Sequence, residues 1–421
     1  MMLYIDPGTG SMLFTVIMGA VGAGVYFVRS TYYKVKNSIG KDRQATIDQN
    51  KLPIVIYSDH KRYWNVFESV CRELDKRGQN AVFLTSSPDD PALNCDFKHV
   101  KCEFIGEGNK GFSKLNLLNA YVVLSTTPSL DVYQWKRSRM VDFYAHILHM
   151  VSDATTYRMF GLDYYDAVLL SGDYQEVQLR KLWAGRNISA KEYKVVGNTY
   201  MDSLLAKAQQ KSDKKACDKK TVLVAPTWGQ SGLLSKYGSK LIDALLKTDY
   251  RIVIRPHPQS FTAEKTMMDE LMRQYPNNDR ISWNTDNDNF ECLKNADIMI
   301  SDYSGVIFDF SLVFDKPVLY ASAEVNLGFY DAYFLDEPLW TFEILPQIGK
   351  PLDESDFPHL GSVIEECINS DIYKDGRDKA RRESWMHQGE SAGLVADYLI
   401  KKYNELAASE SNKETKQEDG Q

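Results

Sequence analysis

The ten residues Ser301–Phe310, SDYSGVIFDF, set the reading of the whole chain. The apolar run Ile298-Met299-Ile300 stops at Ser301-Asp302-Tyr303-Ser304-Gly305. Val306-Ile307-Phe308 then resumes with helical spacing through Phe310, Leu312 and Val313. This pattern predicts a buried strand, a tight polar turn and a helix start. Ser304 stands at the N-cap position, and Gly305 lets a ligand approach the backbone closely. A helix opening there aims unpaired amides at the turn, which is the physical basis of an anion site. A capped helix after a parallel strand, with no ligand, would read the same way.

Outward from this stretch, strands alternate with helices, the signature of βαβ units and a parallel sheet covered on both faces. In the second half, strands are expected at Thr221–Ala225, Arg251–Arg255, Arg280–Trp283, Asp297–Ser301 and Pro317–Tyr320. Helices are expected at Ser239–Leu246, Ala263–Tyr275, Phe290–Lys294 and Gly305–Phe314. In the first half, Pro53–Tyr57, Ala81–Leu84, Glu103–Ile105, Tyr121–Ser125 and Asp166–Leu170 read as strands, with helices at Trp64–Arg77 and Gln175–Trp183. The expected fold is α/β: two Rossmann-like lobes with a cleft between them and an N-terminal transmembrane helix. The first lobe spans 53–206 and the second 221–406 with a terminal helix that crosses back. Polar linkers occupy 37–52 and 207–220, and a charged, disordered tail occupies 407–421.

The 421 residues carry 50 Lys and Arg against 57 Asp and Glu, a net charge of −7, so no basic surplus points to nucleic acid. The six cysteines show neither a CxxC pair nor metal-ligand spacing, and no cofactor is called for; metal dependence stays open. Met12–Val28 is an uncharged apolar run followed by Arg29, Lys34, Lys36, Lys41 and Arg43. That asymmetry predicts a single-pass anchor within residues 1–36, at the inner (cytoplasmic) membrane, with the remainder of the chain in the cytoplasm.

Ligands of such sheets bind outside the carboxyl ends of the strands. Three polar loops in the second lobe fall there: Ala225-Pro-Thr-Trp-Gly, Arg255-Pro-His-Pro and the Ser301–Gly305 turn. They offer Thr227, Arg255, His257, Ser301 and Ser304, with helix-terminal amides, to an anionic ligand.

In this order and spacing, APTW, RPHP and SDYSGVIFDF resemble the CDP-glycerol glycerophosphotransferases of teichoic-acid synthesis. Val195–Leu205, VVGNTYMDSLL, is similar to the segment closing that family's first lobe. The resemblance implies a GT-B-like arrangement of the two lobes and a transferase that moves a polyol phosphate from a CDP-linked polyol donor to a hydroxyl of a lipid-linked acceptor, releasing CMP at the membrane. It implies that His257 and the turn Ser301, Asp302, Ser304, Gly305 hold the pyrophosphate, with Thr227 and Arg255 beside them. Asp309 then accepts hydrogen bonds from a polyol hydroxyl. In the first lobe, Tyr144-Ala-His-Ile-Leu-His-Met-Val-Ser-Asp matches the family's base-bearing stretch, and His149 aligns as the catalytic base. Met150 stands where the family has glycine, Gly229 follows APTW where a basic residue is frequent, and Gly305 replaces a second serine. His146, Ser152, Asp153 and His60 are further acceptor-side candidates. A GT-B enzyme using a nucleotide sugar, or a catalytically silent envelope scaffold, would share much of this pattern, and a homo-oligomer is left open.

Overall fold

A computed structural model describes residues 51–189, 191–210, 219–286, 288–321 and 325–418. The expected anchor and most of the first linker lie outside these residues. Among the described residues, no helix is long and apolar enough to cross a membrane.

Two parallel sheets organise the chain. The first contains β1 (Leu52–Ser58), β2 (Ala81–Thr85), β3 (Val100–Phe104), β4 (Ala120–Ser125), β5 (Val141–Ile147), β6 (Ala167–Leu170) and β7 (Glu192–Val195). Their order across the sheet is β3-β2-β1-β4-β5-β6-β7. The second contains β8 (Thr221–Val224), β9 (Arg251–Ile254), β10 (Ile281–Trp283), β11 (Ile298–Ser301), β12 (Val318–Ala321) and β13 (Gly349–Leu352), in the order β10-β9-β8-β11-β12-β13. Strand order reverses direction between β1 and β4 and again between β8 and β11. Each lobe therefore has a topological switch point, where the connections diverge and leave a crevice.

The central strands are buried on both faces because helices cover both, while the edge strands β3 and β7 stay partly exposed. Trp64–Lys76 presents Trp64, Phe67, Val70, Cys71 and Leu74 at helical spacing to the first sheet. The last helix, Ser391–Glu418, crosses back to this lobe and buries Val395, Ala396 and Leu399 in the same core as Ile54, Ile56 and Val122. It continues past the expected end at 406, so the tail expected to be disordered is helical as far as Glu418. Three strands escaped the sequence reading: β5, whose Asp142 and His146 interrupt its apolar run, and the short edge strands β7 and β13.

A carboxylate joins the lobes. Asp153, in the loop after β5, is fully buried. It accepts hydrogen bonds from the amides of Trp340 (2.8 Å) and Thr341 (2.9 Å), the Thr341 hydroxyl (2.5 Å) and Gln178 Nε2 (2.6 Å). Trp340 and Thr341 open the second-lobe helix Trp340–Ile348, so the anion sits at a helix N-terminus. Asp153 is thus an inter-lobe tie rather than an acceptor-side group. Replacing Asp153 by Ala should lower stability by about 3 kcal/mol or more, since buried amides lose their acceptor. Urea unfolding measures this, and a loss under about 1 kcal/mol would contradict the role.

Candidate active site

A cavity of about 500 Å³ lies off the carboxyl ends of both sheets. The second lobe contributes Thr227, His257, Ser304, Gly305 and Asp309 to its walls, and the first contributes Arg62, Tyr63, His149, Met150 and Ser152. Strand-end loops from the two lobes thus converge as the switch-point rule requires. Arg255, Ser301, Asp302, His146, Asp153 and His60 are not among the lining residues.

Asp302 builds the second-lobe wall from behind. Its buried carboxylate accepts from the Thr227 amide (3.0 Å to each oxygen), the Leu233 amide (2.9 Å) and the Ser304 amide (3.1 Å). One side chain thereby ties the loop after β8 to the turn after β11. Burial pushes its carboxyl up to about 6, with the amide hydrogen bonds opposing that shift. Ser301 donates to the Ala225 carbonyl (2.6 Å) and tightens the same junction. Both residues support the loops instead of facing a ligand. Arg255 likewise turns aside, with its guanidinium on the Asn284 side-chain oxygen.

The stretch that opened the reading is shorter in helix than expected. Val306–Phe308 makes one α turn, and Asp309–Val313 continues as a π turn, a distortion frequent at functional sites. Ser304 provides no side-chain cap; Asp302 satisfies its amide instead. A Cβ built on Gly305 would meet nothing within 4 Å, so the missing side chain leaves open space at the cavity wall. Gly229 is different: its φ of +96° suits glycine, and a basic residue there would be strained.

His257 has a determined tautomer. The Gln259 amide donates to its Nδ1 (3.1 Å), so in the neutral ring Nε2 carries the proton and is a donor. Burial, then the charge of Arg62, pushes its pKa down to about 4. Asp309 has no hydrogen bond to its carboxylate among the described residues, and burial pushes it up to about 7. Trp228, 39% exposed, stands with its ring centroid 6.4 Å from that of His257.

In the first lobe, His149 Nδ1 lies 2.9 Å from the Thr126 hydroxyl and 3.3 Å from the Tyr157 hydroxyl. Burial and the Arg62 charge push the imidazole down to about 4, so it is neutral near pH 7. Met150 does not have a positive φ, so the backbone passes this point without needing glycine. His146 lies on β5, fully buried, with Nε2 3.3 Å from Tyr157 Oη. Burial pushes it well below the usual histidine range, and it reaches the cavity only through Tyr157 and His149. His60 accepts the Arg62 amide on Nδ1 (3.1 Å) and caps the turn Lys61–Tyr63. Arg62, Thr126, Tyr157 and Trp228 were not picked out from sequence. The strand-end rule, applied to β1 and β4 as it was to the second lobe, would have flagged Arg62 and Thr126. Among the described residues, no three His, Cys, Asp or Glu side chains converge as a metal site.

Two parallel doubly wound lobes with a shared cavity make the fold GT-B-like. Residues 163–334 match the family model described as CDP-Glycerol:Poly(glycerophosphate) glycerophosphotransferase. Over this span the chain is similar to the CDP-glycerol glycerophosphotransferases, as the motifs implied. The matched span holds all three second-lobe loops but not His149. Among solved structures, the wall teichoic acid polymerase TagF is 17% identical, with a TM-score of 0.58 over 90% of this chain and 98% of that one. A putative UDP-N-acetylglucosamine 2-epimerase from Listeria monocytogenes is 14% identical, with a TM-score of 0.55 over 82% and 94%. At these identities the likeness is one of fold. Comparison with curated protein sequences gives no match.

Because the folded Asp309 titrates near 7 against about 3.9 when unfolded, it favours the fold only while protonated. That contribution is complete below about pH 4 and is lost as pH rises through about 7. Asp309→Asn should therefore be more stable than the parent at pH 8, by at least about 1 kcal/mol, and equal to it near pH 4. Thermal melts across this range check it; a variant less stable at pH 8 would refute the assignment.

Proposed function

We propose that the protein transfers a polyol phosphate, glycerol phosphate or a close relative, from a CDP-linked donor to a hydroxyl of a lipid-linked cell-envelope acceptor. The observation that carries this reading is one cavity walled by His257, Ser304 and Gly305 from the second lobe and by His149 from the first. His257 Nε2–H, the Ser304 hydroxyl and the backbone at Gly305 would hold the pyrophosphate by hydrogen bonding to its oxygens. Asp309, protonated about half the time near pH 7, can exchange hydrogen bonds with polyol hydroxyls without imposing a full negative charge on the phosphates.

The reaction is a displacement at the phosphorus that bears the polyol. The acceptor oxygen forms a bond to that phosphorus while the bridging P–O bond of the pyrophosphate breaks, and CMP leaves with the electron pair. The hydroxyl proton passes to His149 Nε2. For that, Nε2 must be bare and Nδ1 must carry the hydrogen, and Thr126 Oγ1 at 2.9 Å is a suitable acceptor for it. The low pKa of His149 keeps it competent well below neutrality. The apolar run Met12–Val28 and the basic residues after it support attachment to the cytoplasmic membrane face, where a lipid-linked acceptor would be found.

Incubation with CDP-glycerol or CDP-ribitol and lipid-linked acceptors should release CMP, with the acid limb of kcat/KM well below pH 6. His149→Ala should slow turnover by about 10²–10⁴ while leaving donor binding intact. His257→Ala should abolish donor binding measured by calorimetry. Absence of turnover with every CDP-linked polyol, or undiminished donor affinity in the His257 variant, would overturn the proposal.

A further inference from the structure

The cavity walls contain a single Lys or Arg, and it comes from the lobe opposite the donor loops. Arg62 follows β1 in a short turn whose geometry is built in. His60 Nδ1 receives the Arg62 amide, the Tyr63 amide returns to the His60 carbonyl (3.0 Å), and the Lys61 amide is held by Ser87 Oγ (2.9 Å). The backbone is thus fixed, while the side chain extends as an exposed group over the Tyr63 ring, 5.5 Å from its centroid. Among the described residues, its guanidinium has no ion pair with a carboxylate. Neighbouring charges on the same turn are occupied, since Lys61 pairs with Asp89. A guanidinium with no carboxylate ion pair, lining the same cavity as a neutral imidazole donor and a polar turn, offers an anion a bidentate partner, although the Asp59 carboxyl also feels its charge.

We propose that Arg62 is the cation that receives the donor's pyrophosphate, so that the first lobe completes the anion site presented by the second. This rests on the nucleotide-donor reading of the cavity. Two ionised phosphates would otherwise meet only neutral donors: His257 Nε2–H, the Ser304 hydroxyl and backbone amides. Arg62 lines the same cavity as both histidines, and its charge adds to burial in lowering each. Negative charge grows on the departing CMP as the P–O bond breaks, and a guanidinium already in position lowers the energy of that state. Because Arg62 and His257 belong to different lobes, a bound pyrophosphate would link the two halves of the cleft directly.

The test is calorimetric titration of the full chain with CDP, CMP and cytidine at two salt concentrations, in the parent, Arg62→Ala, Arg62→Lys and Lys61→Ala. Arg62→Ala should weaken CDP by about 10- to 100-fold, with cytidine changed less than about twofold and the melting temperature unchanged. Arg62→Lys should recover part of the loss, because a point charge replaces a bidentate fork. The salt dependence of CDP binding should fall in Arg62→Ala. Lys61→Ala, which removes an equal charge from the same turn, should bind CDP as the parent does. CDP affinity unchanged in Arg62→Ala, or cytidine weakened as much as CDP, overturns the role of Arg62 while leaving the donor site standing. A parent that binds UDP but not CDP, with UDP weakened in Arg62→Ala, supports the role and removes the CDP reading. A parent that binds no nucleoside diphosphate removes both.

Discussion

Asp153 is the interaction on which the cleft depends. A carboxylate from the first lobe is buried against the opening amides of a second-lobe helix, with no water-facing alternative for either partner. Removing an anion from water is unfavourable unless hydrogen bonds replace its hydration, and here four do so. The helix end gains in the same contact, because its first amides have no partner within the helix. A second junction reinforces it: Asp331 accepts from the Phe160 amide and pairs with Arg186, which also holds Asp163.

A similar economy operates within the second lobe. Asp302 gathers three amides from two loops that are distant in sequence but adjacent across β8 and β11. The acid therefore supplies order rather than charge to the cavity, whose second-lobe wall presents the neutral His257, Ser304 and Gly305. The electrostatic character of the site is consequently set by few groups. Burial leaves both histidines neutral and Asp309 half-protonated near pH 7, and Arg62 retains the one permanent charge on the walls.

Much of this was legible in the residues. Runs such as Ile298-Met299-Ile300 and Thr221–Val224 are too apolar and too short for anything but buried strands, and the polar loops after them had to fall at one edge. Val141–Ile147 was missed for a physical reason. Asp142 is at the exposed second position of β5, and His146 faces a buried polar network, so the run does not look continuous. The short helix after Gly305 was overestimated because apolar spacing cannot distinguish an α turn from a π turn.

By itself, the sequence determined the alternation of strands and helices, the parallel sheets and the placement of Thr227, His257 and Ser304 at strand ends, whereas His149 was picked out by family resemblance alone. Those features depend on local patterning of apolar and polar residues. The tertiary structure alone decided which carboxylate lines the cavity and which hold the frame. Asp153, Asp302 and Asp309 look alike as letters beside functional motifs. Two are surrounded by amides and one is left without a hydrogen-bond partner at the cavity wall, a difference created by residues up to 188 positions away. Arg62 and His257 likewise meet only because two lobes face one another, a distance that no local pattern encodes.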